Sequence, residues 1–321
     1  MVKYTIKRIL LMLFTFFVIM LICFTLIKLL PLQEPIGSEA QKLIVARQRE
    51  IRGYNKPILE QFFIYWKRVF TKWDWGVGET YLITSNVAKT FAQRLPSTML
   101  VNIYSIVLAI PLGILLGIFA ALKKNKWQDQ VISTGVMIFI SVPSFVLAFL
   151  MQYTFYFKLG WIERATMMPI TATNGYFSWA TFKSLILPVL SMSFGSIAGF
   201  TRITRAELTE VLTSDFMLLA RTKGLTKTQA IFRHALRNCA VVIVPAIMGE
   251  FIGIMSGSLV IESIFGIPGV GKLYLDSITA VDYNFFMMLS AFYIFIGLLA
   301  GIIVDISYGF IDPRIRMGGK K

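Results

Sequence analysis

Long apolar runs set the terms on which this chain can fold. Six of them occur, at 9–30, 99–122, 131–157, 185–200, 240–265 and 286–306. A helix crossing a hydrocarbon core of about 30 Å needs about 20 mainly apolar residues. Inside lipid, every backbone polar group must be satisfied within the helix itself or within a closed barrel. The fourth run is short and draws on neighbours such as Thr201 to complete its span. The reading is an all-α polytopic membrane protein with six transmembrane helices. Composition agrees, since 56% of the 321 residues are hydrophobic and 15% are charged. A soluble domain holds about 45–50% apolar and about 25% charged residues. Disorder, collagen-like repeats and a disulfide scaffold are excluded by the same figures. Cys23 and Cys239 lie at or in apolar stretches without metal spacing and read as buried thiols.

The net charge of +15 takes its meaning from where the charges fall. Three basic residues precede the first run, three lie in the turn at 123–126, seven in the segment 202–237 and four after Asp312, seventeen on one side. The opposite short loops carry four, Lys158, Arg164, Lys183 and Lys272. The stretch 31–94 carries ten, but it is 64 residues long and exceeds the loops of up to about 60 residues over which the bias is counted. Both termini are therefore expected in the cytoplasm. The basic balance reads as topology, and no cationic groove with interleaved aromatics points to nucleic acid. Lys3, Lys7 and Arg8 before the first run look like the start of a signal peptide. Its apolar part outruns an h-region of roughly 7–15 residues and no A-x-A site follows, which favours a retained anchor. Lys28 can snorkel to the surface. The chain divides into an anchor helix (1–30), an outer segment (31–94), a five-helix core (95–306) with a cytoplasmic loop at 202–237, and a cytoplasmic tail (307–321).

Within 31–94, the stretch ILEQFFIYWKRVF at 58–70 places apolar residues at 59, 62, 63, 66 and 70, a helical period. A short amphipathic helix is expected on the bilayer or on the outer face, serving as a tether or as a docking site. The loop 202–237 reads as two short helices around Gly224. Thr226 and Gln229 fit a capping box, and Gly224 suits the left-handed turn that ends the helix before it. In the spans, Ala109, Gly113, Gly117 and Ala121 make one small-residue stripe, and Gly249, Gly253 and Gly257 another. Such stripes let helices approach closely in lipid and serve either bundle packing or a moving, pore-lining helix. Pro111, Pro143, Pro188 and Pro245 each remove a backbone bond in or near a span.

Most chemical motifs fail. GIPGVGKL at 266–273 approaches the phosphate-binding pattern but has Leu273 where a hydroxyl is needed. It is expected to be a turn on the outer face. His234 is the one histidine, so no H-E-x-x-H pair exists, and Ser256 has no histidine in a span to activate it. No catalytic group and no cofactor site is legible. Glu250 is the sharper oddity, an acid inside the fifth run, and such a group is by default a candidate for the translocation path. A structural hydrogen bond or a partner charge on another subunit is the competing view. Glu262 and Asp305, near span ends, suggest solvated or capping roles.

The stretches DFMLLARTKGL at 215–225 and IFRHAL at 231–236 resemble the EAA loop of ABC importer permeases. More narrowly, they resemble the oligopeptide/dipeptide branch, in the B-type subunit with a large first outer loop. LGIFAAL at 116–122, SVPSF at 141–145, IESIFGIPGVG at 261–271 and IDPRIR at 311–316 agree. The chain departs from the general pattern at Leu218, where a glutamate is expected, and at Arg237, where a proline often lies. The resemblance implies a type I ABC importer permease fold in the cell membrane. It implies a second homologous permease, two cytoplasmic ATP-binding subunits and an external binding protein that delivers peptides. It also implies that the loop docks on an ATPase, with Ala220, Arg221, Gly224, Leu225 and Thr226 as the coupling residues. Nickel chelates or glutathione as cargo, and a stand-alone ion- or proton-coupled transporter, are the alternatives.

Overall fold

The computed structural model describes residues 2–35, 37–168, 175–253 and 259–311. In chain order it contains α1 (Val2–Leu29), α2 (Glu39–Ile51), α3 (Ile58–Lys72), α4 (Val87–Leu122), α5 (Trp127–Ser141) and α6 (Ser144–Met151), the last continued by a π-helical stretch, Gln152–Lys158. Then come α7 (Trp179–Leu212), α8 (Asp215–Thr222), α9 (Lys227–Ala230), a π-helical turn Ile231–Ala235, α10 (Leu236–Gly253), α11 (Leu259–Ile264), α12 (Val270–Thr279) and α13 (Tyr283–Ile311). Among the described residues, five segments are long and apolar enough to cross a membrane: Thr5–Leu29, Val87–Leu122, Trp179–Leu212, Lys227–Phe251 and Tyr283–Ile306. A sixth exists if α5 and the α6 segment count as one span. The chain is a multi-pass membrane protein.

Three of the expected spans differ from their apolar runs. The third is not straight, because α5 and the helix from Ser144 to Lys158 meet at 99°. Proline causes the break: Pro143 has no N–H to give, and its ring drives the residue before it out of the helical region. Val142 is accordingly extended, with ψ 120°. The fourth run is the apolar middle of α7, a helix of 34 residues that carries Pro188 within it. The fifth run falls in α10 and α11, with residues 254–258 outside the described residues, and its membrane-length segment starts earlier than the run, at Lys227.

The chain forms two compact units. The first comprises Met1–Met99, Met255–Ser263 and Ile267–Ile302, and the second Leu100–Ile254, Ile264–Gly266 and Ile303–Lys321. In the first, Phe16, Met20 and Phe24 of α1 pack with Phe62, Tyr65, Trp66 and Val69 of α3 and with Phe285, Met287 and Leu289 of α13. The amphipathic helix exists, but its buried stripe is 62, 65, 66 and 69, while Leu59, Phe63 and Phe70 stay exposed. Edge-to-face contacts decide the rotation, with Phe24 on Phe62 at 5.5 Å and Phe17 on Trp66 at 5.2 Å between centroids.

Buried carboxylates hold the rest of the 31–94 segment. Glu79 accepts from Arg49 Nε at 2.8 Å, from the Tyr54 hydroxyl at 2.5 Å and from Asn284 Nδ2 at 2.9 Å. Burial, with the Glu79 carboxylate beside it, pushes the Tyr54 hydroxyl well above the usual phenol range. Asp282 accepts from the backbone N–H groups of Glu79, Thr80 and Tyr81 at 2.7, 2.9 and 3.1 Å. Asp74 bridges Arg52 at 2.8 Å and Arg68 Nε at 2.8 Å. Burial alone would raise the Asp74 carboxyl, but Arg52, the Arg68 bond and the Gly76 N–H outweigh it and hold it below the usual carboxylate range. A tether would need none of this. The segment is a folded cap on the ends of α1 and α13.

In the second unit, α7 is the central member. Gly113 and Gly117 of α4 face it at close range: a Cβ at Gly113 would lie 2.6 Å from Phe200 Cβ, and one at Gly117 would lie 2.6 Å from Thr204 Cβ. The Thr201 hydroxyl donates to the Gly113 carbonyl at 3.2 Å. Arg205 of α7 grips Asp129, in the first turn of α5, through Nε at 2.5 Å and a second guanidinium nitrogen at 2.8 Å.

Candidate functional site

The segment after α7 makes an elbow whose geometry is written in four residues. α8 ends in a Schellman turn: the Gly224 N–H donates to the Arg221 carbonyl at 3.0 Å and the Leu225 N–H to the Ala220 carbonyl at 3.4 Å. Gly224 carries φ +87° there, a conformation that glycine adopts without the Cβ penalty. Thr226 then starts α9 with a capping box, its Oγ1 accepting from the Gln229 N–H at 3.3 Å while Gln229 Oε1 accepts from the Thr226 N–H at 3.1 Å. One helix is closed and the next opened with no free residue between them, so the angle is fixed by backbone bonds.

The second helix is not short. α9 passes through the π-helical turn and into α10 as a single membrane-length segment, Lys227–Phe251. Anything that moves the elbow therefore moves a span. Ala220 and Met217 are buried against Ala121, Leu208, Ala230, Ala235, Cys239 and Ile243, and Leu225 packs at the margin of the same cluster. The opposite face is open: Leu218 is 65% exposed, Leu219 55% and Phe232 66%. Arg221 is exposed and shares a hollow of about 400 Å³ with Asp215, Leu218 and Lys227.

Glu250 lies on α10 and accepts a hydrogen bond from the Ser196 hydroxyl of α7 at 2.5 Å. The two line a hollow of about 250 Å³ with Gly195, Gly199 and Ala246. Gly249, one residue away, is not at a tight crossing, since a Cβ there would meet Val304 only at 4.0 Å. Gly253 lies in α10, and Gly257 and Ser256 lie outside the described residues, as does the tail from Asp312 onward.

Glu262 is buried, not solvated. Its carboxylate accepts from the Thr98 hydroxyl at 2.7 Å and from the Lys272 N–H at 2.9 Å, while Thr98 Oγ1 accepts from the Val270 N–H at 2.8 Å. The glycine-rich turn thus does what such turns do for phosphate, presenting helix N–H groups to an anion, but the anion is the chain's own. A Cβ at Gly269 would lie 2.3 Å from Glu262 Oε2, and one at Gly271 2.9 Å. Among the described residues no group of three or more His, Cys, Asp or Glu is placed to hold a metal ion. The Asp129–Arg205 bridge and the Glu262 latch carry no sequence signal beyond an acid near a helix start.

The family described as binding-protein-dependent transport system inner membrane component matches residues 113–317, a stretch that contains the α7–α10 elbow and Glu250. The chain belongs to this family. It has the type I ABC importer permease fold and is a permease subunit of an ABC importer. Among similar proteins, the dipeptide transport system permease protein of Lactococcus lactis subsp. cremoris is 34% identical over 321 residues, 99% of this chain and 100% of the relative. The oligopeptide transport system permease protein of Haemophilus influenzae is 33% identical over 98% of this chain and 100% of its own length. The glutathione transport system permease protein of Escherichia coli is 31% identical over 98% and 99%. For an importer permease the elbow is the site of interest, because the family's transport systems have several components and the elbow offers a rigid, exposed face joined to a span.

Proposed function

We propose that this permease subunit carries short peptides inward across the cell membrane by alternating access, paired with a second homologous permease. Two separate ATP-binding subunits hydrolyse the nucleotide, and an external binding protein delivers the peptide. The cargoes for which these relatives are named, dipeptides, oligopeptides and glutathione, are all short peptides, which supports that substrate class. The chain itself catalyses nothing in this reading. The observation that carries it is the elbow: Schellman turn and capping box back to back, an exposed Leu218–Leu219–Phe232 face, and a buried Ala220 that ties it to the bundle. A partner that grips such a lever biases a two-state bundle through the span it belongs to. In this assignment Ala220 and Leu225 seat the elbow, Gly224 and Thr226 set its angle, and Arg221 stands beside the docking face. Both termini and the elbow lie in the cytoplasm, where ATP is. Glu250 faces the translocation path, its carboxylate in a small hollow beside Ser196.

The test is uptake of labelled peptide by the complete complex in proteoliposomes, with ATP and vanadate arms. Gly224→Pro cannot adopt φ +87°, because proline is fixed near −65°. It should abolish ATP-driven uptake while leaving membrane insertion unchanged; normal uptake by that variant would overturn the coupling assignment. Glu250→Gln with unchanged transport would remove Glu250 from the path. Uptake that persists without any ATP would favour ion coupling instead.

A further inference from the structure

Away from the elbow and from Glu250, the second unit holds a hollow of about 390 Å³ at the start of α7, within the range of about 300–1,000 Å³ typical of small-ligand sites. Two tryptophans stand in its wall. Trp161 is 70% exposed and Trp179 is 67% exposed, a large apolar area to leave open on a protein surface. Neither is loose. The Trp161 N–H donates to the Phe155 carbonyl at 2.9 Å, and its ring lies 5.6 Å from that of Phe155. Trp179 stacks on Phe182 at 5.4 Å. The charges lining the same hollow are mixed: Arg164 and Lys183 are both exposed cations, Glu163 is an exposed acid, and Lys183 Nζ sits 6.0 Å over the Trp179 ring.

We infer that this hollow is a binding site for zwitterionic short peptides: Arg164 and Lys183 receive the C-terminal carboxylate, Glu163 the N-terminal ammonium, and Trp161 and Trp179 an apolar side chain. The inference rests on the peptide reading above and deepens it. A carboxylate binder alone would need only the cations, and an anion site would be weakened by Glu163. Opposite charges and two aromatic side chains lining one hollow match a molecule charged at both ends and apolar in the middle. Tryptophans flanked by basic residues also mark membrane interfaces, so a lipid headgroup is the occupant the experiment must tell apart. In the orientation proposed above, the hollow opens on the outer side, where a delivered peptide arrives.

The experiment uses the complete complex in proteoliposomes with its binding protein and follows uptake of Ala-Phe against Ala-Phe amide. The same binding protein serves every variant, so a change in the ratio between the two probes belongs to the permease. Arg164→Gln with Lys183→Gln should raise KM for the free acid about fivefold, the worth of an exposed ion pair at its upper end, and leave the amide nearly unchanged. Glu163→Gln should narrow the difference between Ala-Phe and its N-acetyl form. Because these side chains are exposed, all the variants are expected to insert normally, and the amide uptake reports that directly. An unchanged acid-to-amide ratio in the double variant overturns the site while leaving the peptide function standing. Absence of peptide uptake by the unaltered complex overturns both. If the double variant changes only the quenching of tryptophan fluorescence by brominated phosphatidylglycerol, the hollow holds a headgroup and the proposal fails.

Discussion

Asp74 shows how one carboxylate can carry a segment. It is the shared partner of Arg52, which is 3% exposed, and of Arg68. Removing the acid would leave the buried Arg52 guanidinium without its counter-charge, which costs on the order of 3 kcal/mol. Asp74→Asn should therefore lower the unfolding midpoint of the purified protein at pH 7. The pH dependence follows from the depressed carboxyl. A group whose folded-state value lies below its unfolded value of about 3.9 contributes fully above that value, and the contribution fades as pH falls through the folded-state value. The gap between Asp74→Asn and the unaltered protein should thus be widest near neutrality and close below pH 4. Tryptophan fluorescence reports it, because Trp66 and Trp75 lie in the same core. A gap that stays constant down to low pH would mean that Asp74 acts by shape alone. The Tyr81 hydroxyl, pushed up to about 12 by burial and by its bond to Asp276, stays protonated throughout and adds nothing to this profile.

Between elements, the described glycines of the two small-residue stripes differ, Gly113 and Gly117 lying at a tight crossing and Gly249 not. At Gly117 the neighbours of an added Cβ are Thr204 Cβ at 2.6 Å and the Thr201 carbonyl oxygen at 2.8 Å, and a backbone atom cannot turn aside. Gly117→Val should destabilise the protein by about 1–3 kcal/mol, the range for overpacking. Gly249→Ala meets only ordinary contact at 4.0 Å and gains helix propensity, up to about 1 kcal/mol, so it should be neutral or stabilising. Thermal unfolding of the two variants in detergent checks both signs, and equal losses would refute the distinction. Sequence spacing alone made the stripes look alike, because a four-residue repeat marks a helix face without marking what lies opposite. The same limit explains the other differences. The capping box at Thr226 and the left-handed Gly224 were legible because they are local, set by residues within four positions of one another. The stripe 62, 65, 66 and 69 on α3 was not, because nine of the thirteen side chains at 58–70 are apolar, satisfy the helical period in more than one rotation, and leave α1 to choose between them. Pro143 could be read as a disturbance, but the 99° bend depends on how α5 and α6 pack on α7. The Asp129–Arg205 pair spans 76 positions in the chain and leaves no trace in either neighbourhood.

At the scale of the whole molecule, transport direction and energy source depend on which side each loop faces, and the charge bias makes a definite prediction. Seventeen basic residues fall with the N-terminus, the turn at 123–126, the elbow segment and the tail, against four in the opposite short loops. Such a bias sets orientation during insertion, when cationic loops resist translocation. The elbow must lie where ATP is for an ATP-binding partner to grip it, so charge and mechanism make the same demand independently. A cysteine-free background made by replacing Cys23 and Cys239, both free thiols, tests it directly. Lys42 of α2 and Lys223 beside the elbow are both solvent-facing, so each accepts a cysteine at little structural cost. Lys42→Cys should react with a membrane-impermeant maleimide on intact cells, and Lys223→Cys only after the membrane is opened. The reverse pattern would put the lever outside, away from any cytoplasmic motor, and the coupling mechanism would fail with it. If both react on intact cells, the charge bias has misplaced the elbow and α9–α10 cannot serve as the link between a cytoplasmic ATPase and the translocation path.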